Sequence, residues 1–131
     1  MTTSRFEKGM EVRKKILGEA YVERSLAAAT DFDQEFQELI TEVAWGSAWA
    51  RPGLDLKTKH MIVISVLAAL GREKELKLHI KASHNSGITQ DEMKEVLIQV
   101  APYAGIPASL TAFGIAKEHY AERAKQLDKD Q

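Results

Sequence analysis

The fold of this chain is decided by its longest apolar run, MIVISVLAAL, which occupies residues 61–70. Its β-branched centre fits either a buried strand or a buried helix, because periodicity alone does not separate the two. No other segment has the pattern of a strand that could pair with it, and an isolated strand is not stable. The Ala-Ala-Leu end and Gly71 are typical of a helix C-terminus. The sequence therefore predicts a helix from Lys57 to Leu70 and an all-α fold.

The remaining helices are bracketed by start and stop signals on both sides of this run. Before it, helices are predicted for Ser4 to Leu17, for Glu19 to Ala29, and for an amphipathic segment from Phe32 toward Trp45, capped by Asp31. After it, the predicted features are a helix from Arg72 to Ser86, a capping box at Thr89 to Glu92, a helix that Pro102 ends or kinks, and a last helix with Pro107 in its first turn.

Length and composition place the chain among ordinary soluble globular proteins. Its 131 residues are 44% hydrophobic and 28% charged, which predicts one domain over residues 1–131. The formal charge of −1 lacks the basic excess that phosphate binding requires, so we expect no nucleic-acid partner. The absence of cysteine excludes disulfides, thiolate metal sites and thiol redox chemistry.

Apolar segments bear on location and assembly. The run at residues 61–70 is about half of what a bilayer span needs, and the N-terminus, residues 1–11, is polar, so we expect a cytoplasmic protein. A helix that is apolar on nearly all sides must be covered on all sides. In so small a domain a second subunit can supply part of that cover, which predicts a homo-oligomer.

Two tryptophans and an arginine form the first candidate site, in WGSAWARPG at residues 45–53. The indoles of Trp45 and Trp49 can form an apolar wall, and the guanidinium of Arg51 can bind a carboxylate through two parallel hydrogen bonds. The alternative is that both tryptophans are core or interface anchors and that Arg51 is an ordinary surface charge.

The second candidate site consists of Arg72, Glu75, His79 and either Ser83 or Ser86. They are spaced three or four residues apart, so they line one stripe of a helix. A glutamate one turn before a histidine can hold its tautomer and raise its basicity, which suits a general acid or base. The alternative is an exposed helix face with an ion pair worth only tenths of a kcal/mol.

The other histidines and one predicted turn complete the candidates. His60, His84 and His119 do not lie at metal-ligand spacing from one another or from His79, so we expect no metal site. The stretch from Tyr103 to Pro107 is a predicted turn whose backbone N–H groups and Tyr103 hydroxyl can line a pocket. A plain helix connection explains that stretch equally well.

Several ordered stretches, extending over most of the chain, match one known family. They are WGSAWARPGLDLKTK at 45–59, LAALGR at 67–72, Glu75-Leu76, His79-Ile80, Asn85, Gly87-Ile88-Thr89, Glu95-Val96-Leu97 and YAGIPA at 103–108, with Gly9 and Arg13 to Gly18 near the start. On these residues the chain resembles the carboxymuconolactone decarboxylase family of the alkyl hydroperoxidase D-like superfamily. The peroxidase members carry CxxCxxxH, whose spacing falls here on Arg72, Glu75 and His79. Because both thiols are replaced, the resemblance indicates the decarboxylase branch.

The resemblance implies an alkyl hydroperoxidase D-like bundle of six or seven helices around a central apolar helix, assembled as a ring-shaped homohexamer. It further implies a carboxy-lyase without a cofactor that converts 4-carboxymuconolactone to 3-oxoadipate enol-lactone, in the protocatechuate branch of aromatic catabolism (the β-ketoadipate pathway). The catalytic residues are then expected to be His79, Glu75 and Tyr103, with Arg51, Trp45, Trp49 and Arg72 binding the lactone carboxylate substrate.

Some positions depart from the family pattern. Lys59-His60 stands where the decarboxylases more often have Arg-Ser, Ser86 replaces a common Asn, and Pro102 replaces an aliphatic residue. These departures leave room for an alternative, namely a non-catalytic or differently specific homologue that binds another small cyclic carboxylic acid.

Overall fold

The computed structural model describes residues 3–130 and confirms the all-α prediction, since no strand occurs in that range. Met1, Thr2 and Gln131 belong to the predicted domain and lie outside the described residues. The described helices, in chain order, are α1 (Arg5–Leu17), α2 (Glu19–Ala27), α3 (Gln34–Leu39), a π-helix (Ile40–Trp49), α4 (Leu56–Leu70), α5 (Glu73–Ala82), a 3-10 helix (Ser83–Ser86), α6 (Gln90–Ala104) and α7 (Ile106–Lys129).

The chain divides into two compact units, with the boundary between Lys59 and His60. The first contains α1, α2, α3, the π-helix and the start of α4, and the second contains the rest of α4 and the helices that follow. The single domain over residues 1–131 stays a prediction.

In the first unit, α1 and the π-helix approach each other closely at two glycines. A Cβ added to Gly9 would lie 2.1 Å from the carbonyl oxygen of Thr41, and one added to Gly46 would lie 2.3 Å from the carbonyl oxygen of Arg5. Both distances are far below van der Waals contact, and the opposing atoms are backbone. Glycine is therefore required at both positions for this packing.

A buried arginine joins the same two elements. Arg13 on α1 donates from Nη1 to Oγ1 of Thr41 at 3.0 Å and from Nη2 to Oε1 of Gln37 at 2.8 Å. Burial lowers the pKa of Arg13 from its usual value, while the electrostatic interaction with Tyr21 opposes that effect. The two hydrogen bonds offset part of the free energy that burying the charged guanidinium costs.

The predicted α-helix from Phe32 toward Trp45 is wrong in two respects. The helix begins only at Gln34, with Asp33 and not Asp31 at its N-cap, and Phe32 lies outside it with 98% of its surface exposed. From Ile40 the backbone then forms a π-helix, closed at its end by an i→i+5 hydrogen bond from Ala50 N to the carbonyl oxygen of Trp45 at 2.9 Å. Apolar spacing does not distinguish these two helix types, because both present a continuous apolar face.

The second unit has a core of aliphatic side chains from α4, α5, α6 and α7. The capping box at Thr89 and Glu92, predicted from the sequence, is present with both of its hydrogen bonds. The buried core residues are Ile64, Ala68, Leu76, Ile80, Ile88, Met93, Leu97, Val100, Ala112 and Ala116.

The connection between α6 and α7 is shorter than predicted. Pro102 does not end its helix, since α6 continues through Tyr103 to Ala104. Gly105, with φ of 102° and ψ of 150°, is the only residue between the two helices. Its N–H donates to the carbonyl oxygen of Ala101 at 2.9 Å. The predicted turn from Tyr103 to Pro107 is therefore a single positive-φ glycine.

One face of α4 is exposed in the part of the chain that the structure describes. Ile64 and Ala68 enter the core, whereas Ile62, Val66 and Leu70 are 49%, 47% and 64% exposed. The exposed residues are four apart and form one apolar stripe. A stripe of this kind is typical of a surface that packs against another protein.

We expect Gly9→Ala and Gly46→Ala each to lower the free energy of unfolding by about 1–3 kcal/mol, because backbone atoms must move to admit the methyl group. Gly114→Ala is the matched control: it lies within α7 with nothing within 4 Å of the added Cβ. That change should leave stability unchanged or raise it by up to about 1 kcal/mol. Urea unfolding measures all three, and equal effects at Gly9 and Gly114 would contradict the close approach.

Candidate active site

A fully buried histidine is the centre of the candidate site in the second unit. His60, near the start of α4, has its Nδ1 2.7 Å from Oγ of Ser86 and its Nε2 3.0 Å from Nδ1 of His79. The two imidazoles meet edge to face, with ring centroids 5.2 Å apart and planes at 80°. Three elements thus meet at His60, namely α4, α5 and the 3-10 helix.

Ser86 extends this cluster to the backbone. Its hydroxyl donates to the carbonyl oxygen of Ser83 at 3.0 Å, one turn back along the 3-10 helix. The helix then ends at Gly87, whose φ of 82° lies in the left-handed region that glycine adopts without strain. The sequence alone predicted that ending at Gly87, and the structure confirms it.

Burial makes both histidines of the cluster poor bases. Burial, together with a smaller contribution from the neighbouring His79, lowers the pKa of His60 from 6.5 to about 4. Burial likewise lowers the pKa of His79 to about 4, although the negative charge of Glu75 opposes that change. Both imidazoles are therefore neutral at pH 7 in the protein described here.

Glu75 raises the basicity of His79 as predicted, but it is not the partner of Nδ1 of His79. The partner of His79 Nδ1 is Nε2 of His60, so His60 occupies the position from which a glutamate would hold the tautomer. Glu75 is exposed and raises the pKa of His79 through its charge. Arg72, the third residue of the predicted stripe, is exposed at the N-cap of α5. The roles assigned to Glu75 and Arg72 stay predictions.

Tyr103 is not part of the buried cluster. It lies in the last turn of α6 with 87% of its surface exposed. A side chain this exposed is on the surface of its unit, so a role as an oxyanion donor requires cover from elsewhere. That role stays a prediction.

In the first unit, the two tryptophans stack as the predicted apolar wall requires. Their ring centroids are 4.8 Å apart with planes at 21°, and both side chains are buried. Arg51 follows directly after the π-helix and is exposed. Trp45 and Trp49 therefore lie together at the end of the π-helix, and Arg51 follows that helix in the chain.

Lys59 holds the end of this π-helix. Its ammonium donates to the carbonyl oxygens of Trp49 at 2.8 Å, Ala48 at 3.4 Å and Arg51. The last carbonyl groups of a helix lack partners within it, and a cation satisfies them both by hydrogen bonding and by charge. Lys59 therefore fixes the backbone that carries Arg51.

A second histidine pair joins the 3-10 helix to α7. His84 and His119 bring their Nε2 atoms within 2.8 Å of each other, and burial lowers the pKa of both. Arg123 lies near enough to lower both pKa values further. Within residues 3–130, no group of three or more potential metal-ligating side chains was found.

A hollow of the second unit does not contain the histidine cluster. It has a volume of about 860 Å³, lies between α6 and α7, and is lined mainly by apolar side chains such as Met93, Leu97 and Phe113. Neither His60 nor His79 lines it.

In the described part of the chain, no helix has the length and apolar character needed to cross a bilayer.

Comparison with known proteins shows the family. The model of the carboxymuconolactone decarboxylase family matches residues 34–118. The chain belongs to this family. It is 47% identical over 118 residues to a 4-carboxymuconolactone decarboxylase of Acinetobacter baylyi, which covers 90% of this chain and 88% of that protein. It is also 39% identical to a nitrosuccinic acid decarboxylase of Metarhizium robertsii, over 86% of this chain and 79% of that protein.

A shorter match agrees with the first. A 4-carboxymuconolactone decarboxylase of Pseudomonas putida is 50% identical over 42 residues, which cover 32% of this chain and 88% of that sequence. The matches to Acinetobacter and Metarhizium proteins extend over most of this chain, as the sequence resemblance did.

Sequence reasoning did not link the members of this cluster to one another. Ser86 was a candidate for the helix stripe of His79 and His60 was considered only as a metal ligand and as a departure from the family pattern, whereas the structure brings Ser86 and His60 within 2.7 Å of each other. They are 26 residues apart and lie on different helices, so no local spacing links them. One feature of the sequence could have indicated their contact. His60 is larger than the serine that is more frequent at its position, and Ser86 is smaller than the asparagine that is common at its own.

The lowered pKa of His60 makes stability depend on pH. Between pH 6.5 and about 4 the unfolded chain binds more protons at this position than the folded chain, so stability is full above pH 6.5 and falls as the pH decreases through that window. Lowering the pH from about 7.5 to 5.5 should cost about 1 kcal/mol through His60.

His60→Gln removes that titration while keeping a hydrogen-bonding side chain. We expect the difference in unfolding free energy between the two pH values to be smaller in His60→Gln than in the unmodified protein by about 1 kcal/mol. Urea unfolding at fixed protein concentration measures it. An identical pH dependence in both proteins would mean that His60 is not held neutral by burial.

Proposed function

We propose that this protein is a carboxy-lyase that decarboxylates 4-carboxymuconolactone to 3-oxoadipate enol-lactone without a cofactor. The single observation that carries the proposal is the 47% identity to a 4-carboxymuconolactone decarboxylase over most of both chains. Membership of the family and the buried histidine cluster support it.

The chemistry of the substrate explains why side chains alone are sufficient. The lactone carries a carboxylate on the ring carbon γ to its carbonyl group. When the bond to this carboxylate breaks, CO₂ leaves and the electron pair moves through the ring double bond onto the carbonyl oxygen. The resulting dienolate takes up one proton at its α carbon. The protein therefore has to hold the ring, stabilise the oxyanion and deliver one proton.

The residues of the first unit fit the binding task. Arg51 would hold a carboxylate of the substrate through two parallel hydrogen bonds, on a backbone that Lys59 fixes. The stacked indoles of Trp45 and Trp49 would exclude water and favour loss of charge from the departing carboxylate. Arg72 would add positive charge for the dianionic substrate.

The second unit fits the proton-transfer task. His79 is neutral before substrate binds, and the negative charge of a bound carboxylate would raise its pKa and help it take a proton from solvent. As a weak base it would pass that proton on readily to the dienolate carbon. Glu75 would support the protonated form by its charge, and Tyr103 would donate to the oxyanion.

A second candidate function is decarboxylation of a different small acid. A relative that is 39% identical is named a nitrosuccinic acid decarboxylase. Nitrosuccinate also carries its own electron acceptor, since its nitro group is attached to a carbon that bears a carboxylate. Both substrates therefore suit a site that binds carboxylates and supplies one proton. A non-catalytic role as a binding protein would leave both compounds unchanged.

The assembly and location that go with this function are a cytoplasmic homohexamer that binds neither nucleic acid nor a membrane. The exposed apolar stripe of Ile62, Val66 and Leu70 supports assembly, because a second copy would bury it. The net charge of −1 and the absence of a membrane-spanning helix within residues 3–130 support the rest.

We expect His79→Ala and Arg51→Ala each to reduce kcat/KM for 4-carboxymuconolactone by about 10²-fold or more, because one removes the proton carrier and the other the carboxylate anchor. Ultraviolet absorbance follows loss of the lactone, and CO₂ release confirms the reaction. Arg24→Ala, an exposed arginine at the end of α2, is the charge-matched control and should keep full activity.

The same assay with nitrosuccinate distinguishes the two candidate functions. Turnover of the lactone alone supports the proposal, whereas turnover of nitrosuccinate alone favours the second function. If His79→Ala and Arg51→Ala fold normally and keep near-normal turnover, the assigned roles are wrong.

We expect Val66→Glu to reduce the mass of the assembly, because a carboxylate in the middle of the apolar stripe cannot be buried against a second copy without a partner. Gln99→Glu, which puts the same carboxylate on an exposed polar position of α6, should leave the mass unchanged. Size-exclusion chromatography with light scattering measures both. An unchanged mass in Val66→Glu would place the interface on another face.

A further inference from the structure

The hydrogen bonds of the histidine cluster have a definite direction, which begins at Ser86. A serine hydroxyl has a single proton, and that of Ser86 is donated to the carbonyl oxygen of Ser83, a group that only accepts. The 2.7 Å contact between Ser86 Oγ and His60 Nδ1 therefore needs its proton from the histidine. His60 is the donor in this contact.

The direction passes on to His79. A neutral imidazole carries one N–H, and in His60 that proton is on Nδ1. Nε2 of His60 is then an acceptor, so the 3.0 Å contact with His79 Nδ1 needs its proton from His79. The lowered pKa of both histidines agrees with this neutral arrangement. His79 is consequently the Nδ1–H tautomer, and its Nε2 carries the lone pair.

This arrangement allows His79 to change its protonation without disturbing the cluster. When Nε2 takes up a proton, Nδ1 still donates to His60, and His60 still donates to Ser86. With the opposite tautomer Nε2 would already hold its proton, and giving it away would require His60 and Ser86 to reverse their hydrogen bonds. The inferred direction thus makes Nε2 the atom of His79 at which a proton is exchanged.

We propose that His60 and Ser86 are positioning residues that hold His79 as the Nδ1–H tautomer, so that Nε2 takes and delivers the proton of the reaction. The inference rests on the proposed function and extends it to two residues that touch neither substrate nor reacting atoms. Their contact with each other, and the contact of His60 with His79, carry it.

The proton transfer balances with solvent water as the source. Nε2 of His79 takes one proton from solvent. The bond between the γ carbon and its carboxylate breaks, CO₂ leaves, and the electron pair forms the dienolate. The α carbon of the dienolate then takes the proton from Nε2, which returns His79 to the neutral Nδ1–H tautomer. One proton is consumed for each CO₂ released.

The first experiment reads the tautomer without substrate, by ¹⁵N NMR of the histidine ring nitrogens at neutral pH, with His79→Gln to assign the resonances. We expect a protonated, pyrrole-like Nδ1 and an unprotonated, pyridine-like Nε2 for His79. Ser86→Ala removes the acceptor of His60 and should increase the population of the Nε2–H tautomer at His79. Ser86→Thr keeps the hydroxyl and should preserve the tautomer of the unmodified protein.

The second experiment measures turnover of 4-carboxymuconolactone by the same proteins. Ser86→Ala should lower kcat by about tenfold, a part of the 10²- to 10⁴-fold contribution typical of a general acid, with KM within about twofold of normal. Ser86→Thr should restore most of kcat. Ser65→Ala is the matched control, because this serine lies on the same helix as His60 and its hydroxyl bonds to the carbonyl oxygen of Met61; it should leave kcat unchanged.

The two readings separate the possible failures. An Nε2–H tautomer at His79 in the unmodified protein overturns the inference, and so does a loss of kcat in Ser86→Ala without any change of tautomer. If the unmodified protein does not decarboxylate the lactone, the proposed function fails, and the NMR spectra alone then decide the tautomer assignment.

Discussion

The site depends on the burial of His60, whose side chain is fully buried. Each nitrogen of a buried imidazole that lacks a hydrogen bond lowers the stability of the folded state. The two partners of His60, Ser86 and His79, come from the 3-10 helix and from α5, so satisfying His60 also brings three elements into register. The same burial keeps the pair neutral, because a charged imidazole would lose its hydration in the interior of the unit. Packing, tautomer and protonation state therefore have a common cause.

The first unit is governed by backbone proximity instead. Gly9 and Gly46 allow α1 and the π-helix to approach so closely that no side chain fits between them, and Arg13 adds hydrogen bonds across the same contact. The wider π-helix ends in a turn whose carbonyl groups are satisfied by Lys59. The ammonium group of Lys59 thus holds the backbone that carries Arg51. A residue that binds a carboxylate needs a fixed backbone of this kind.

Three of the residues that depart from the family pattern are Lys59, His60 and Ser86. In the structure each has a defined partner: Lys59 binds the carbonyl groups before Arg51, and His60 and Ser86 bind each other. The departures are therefore structural contacts around the candidate site and not neutral surface changes. The exposed stripe of Ile62, Val66 and Leu70 lies on the same helix as His60, so one helix carries both the centre of the cluster and an apolar surface.

The sequence by itself determined the all-α class, most helix limits, the capping box at Thr89 and the resemblance to the decarboxylase family, because caps, apolar periodicity and ordered motifs are properties of neighbouring residues. It also singled out His79, Arg51 and the tryptophan pair. Only the tertiary structure decided that residues 40–49 form a π-helix, that Tyr103 is exposed, and that His60 contacts both Ser86 and His79. The physical reason is that hydrogen bonds between side chains 19 and 26 residues apart depend on how helices pack, and no local spacing encodes that packing.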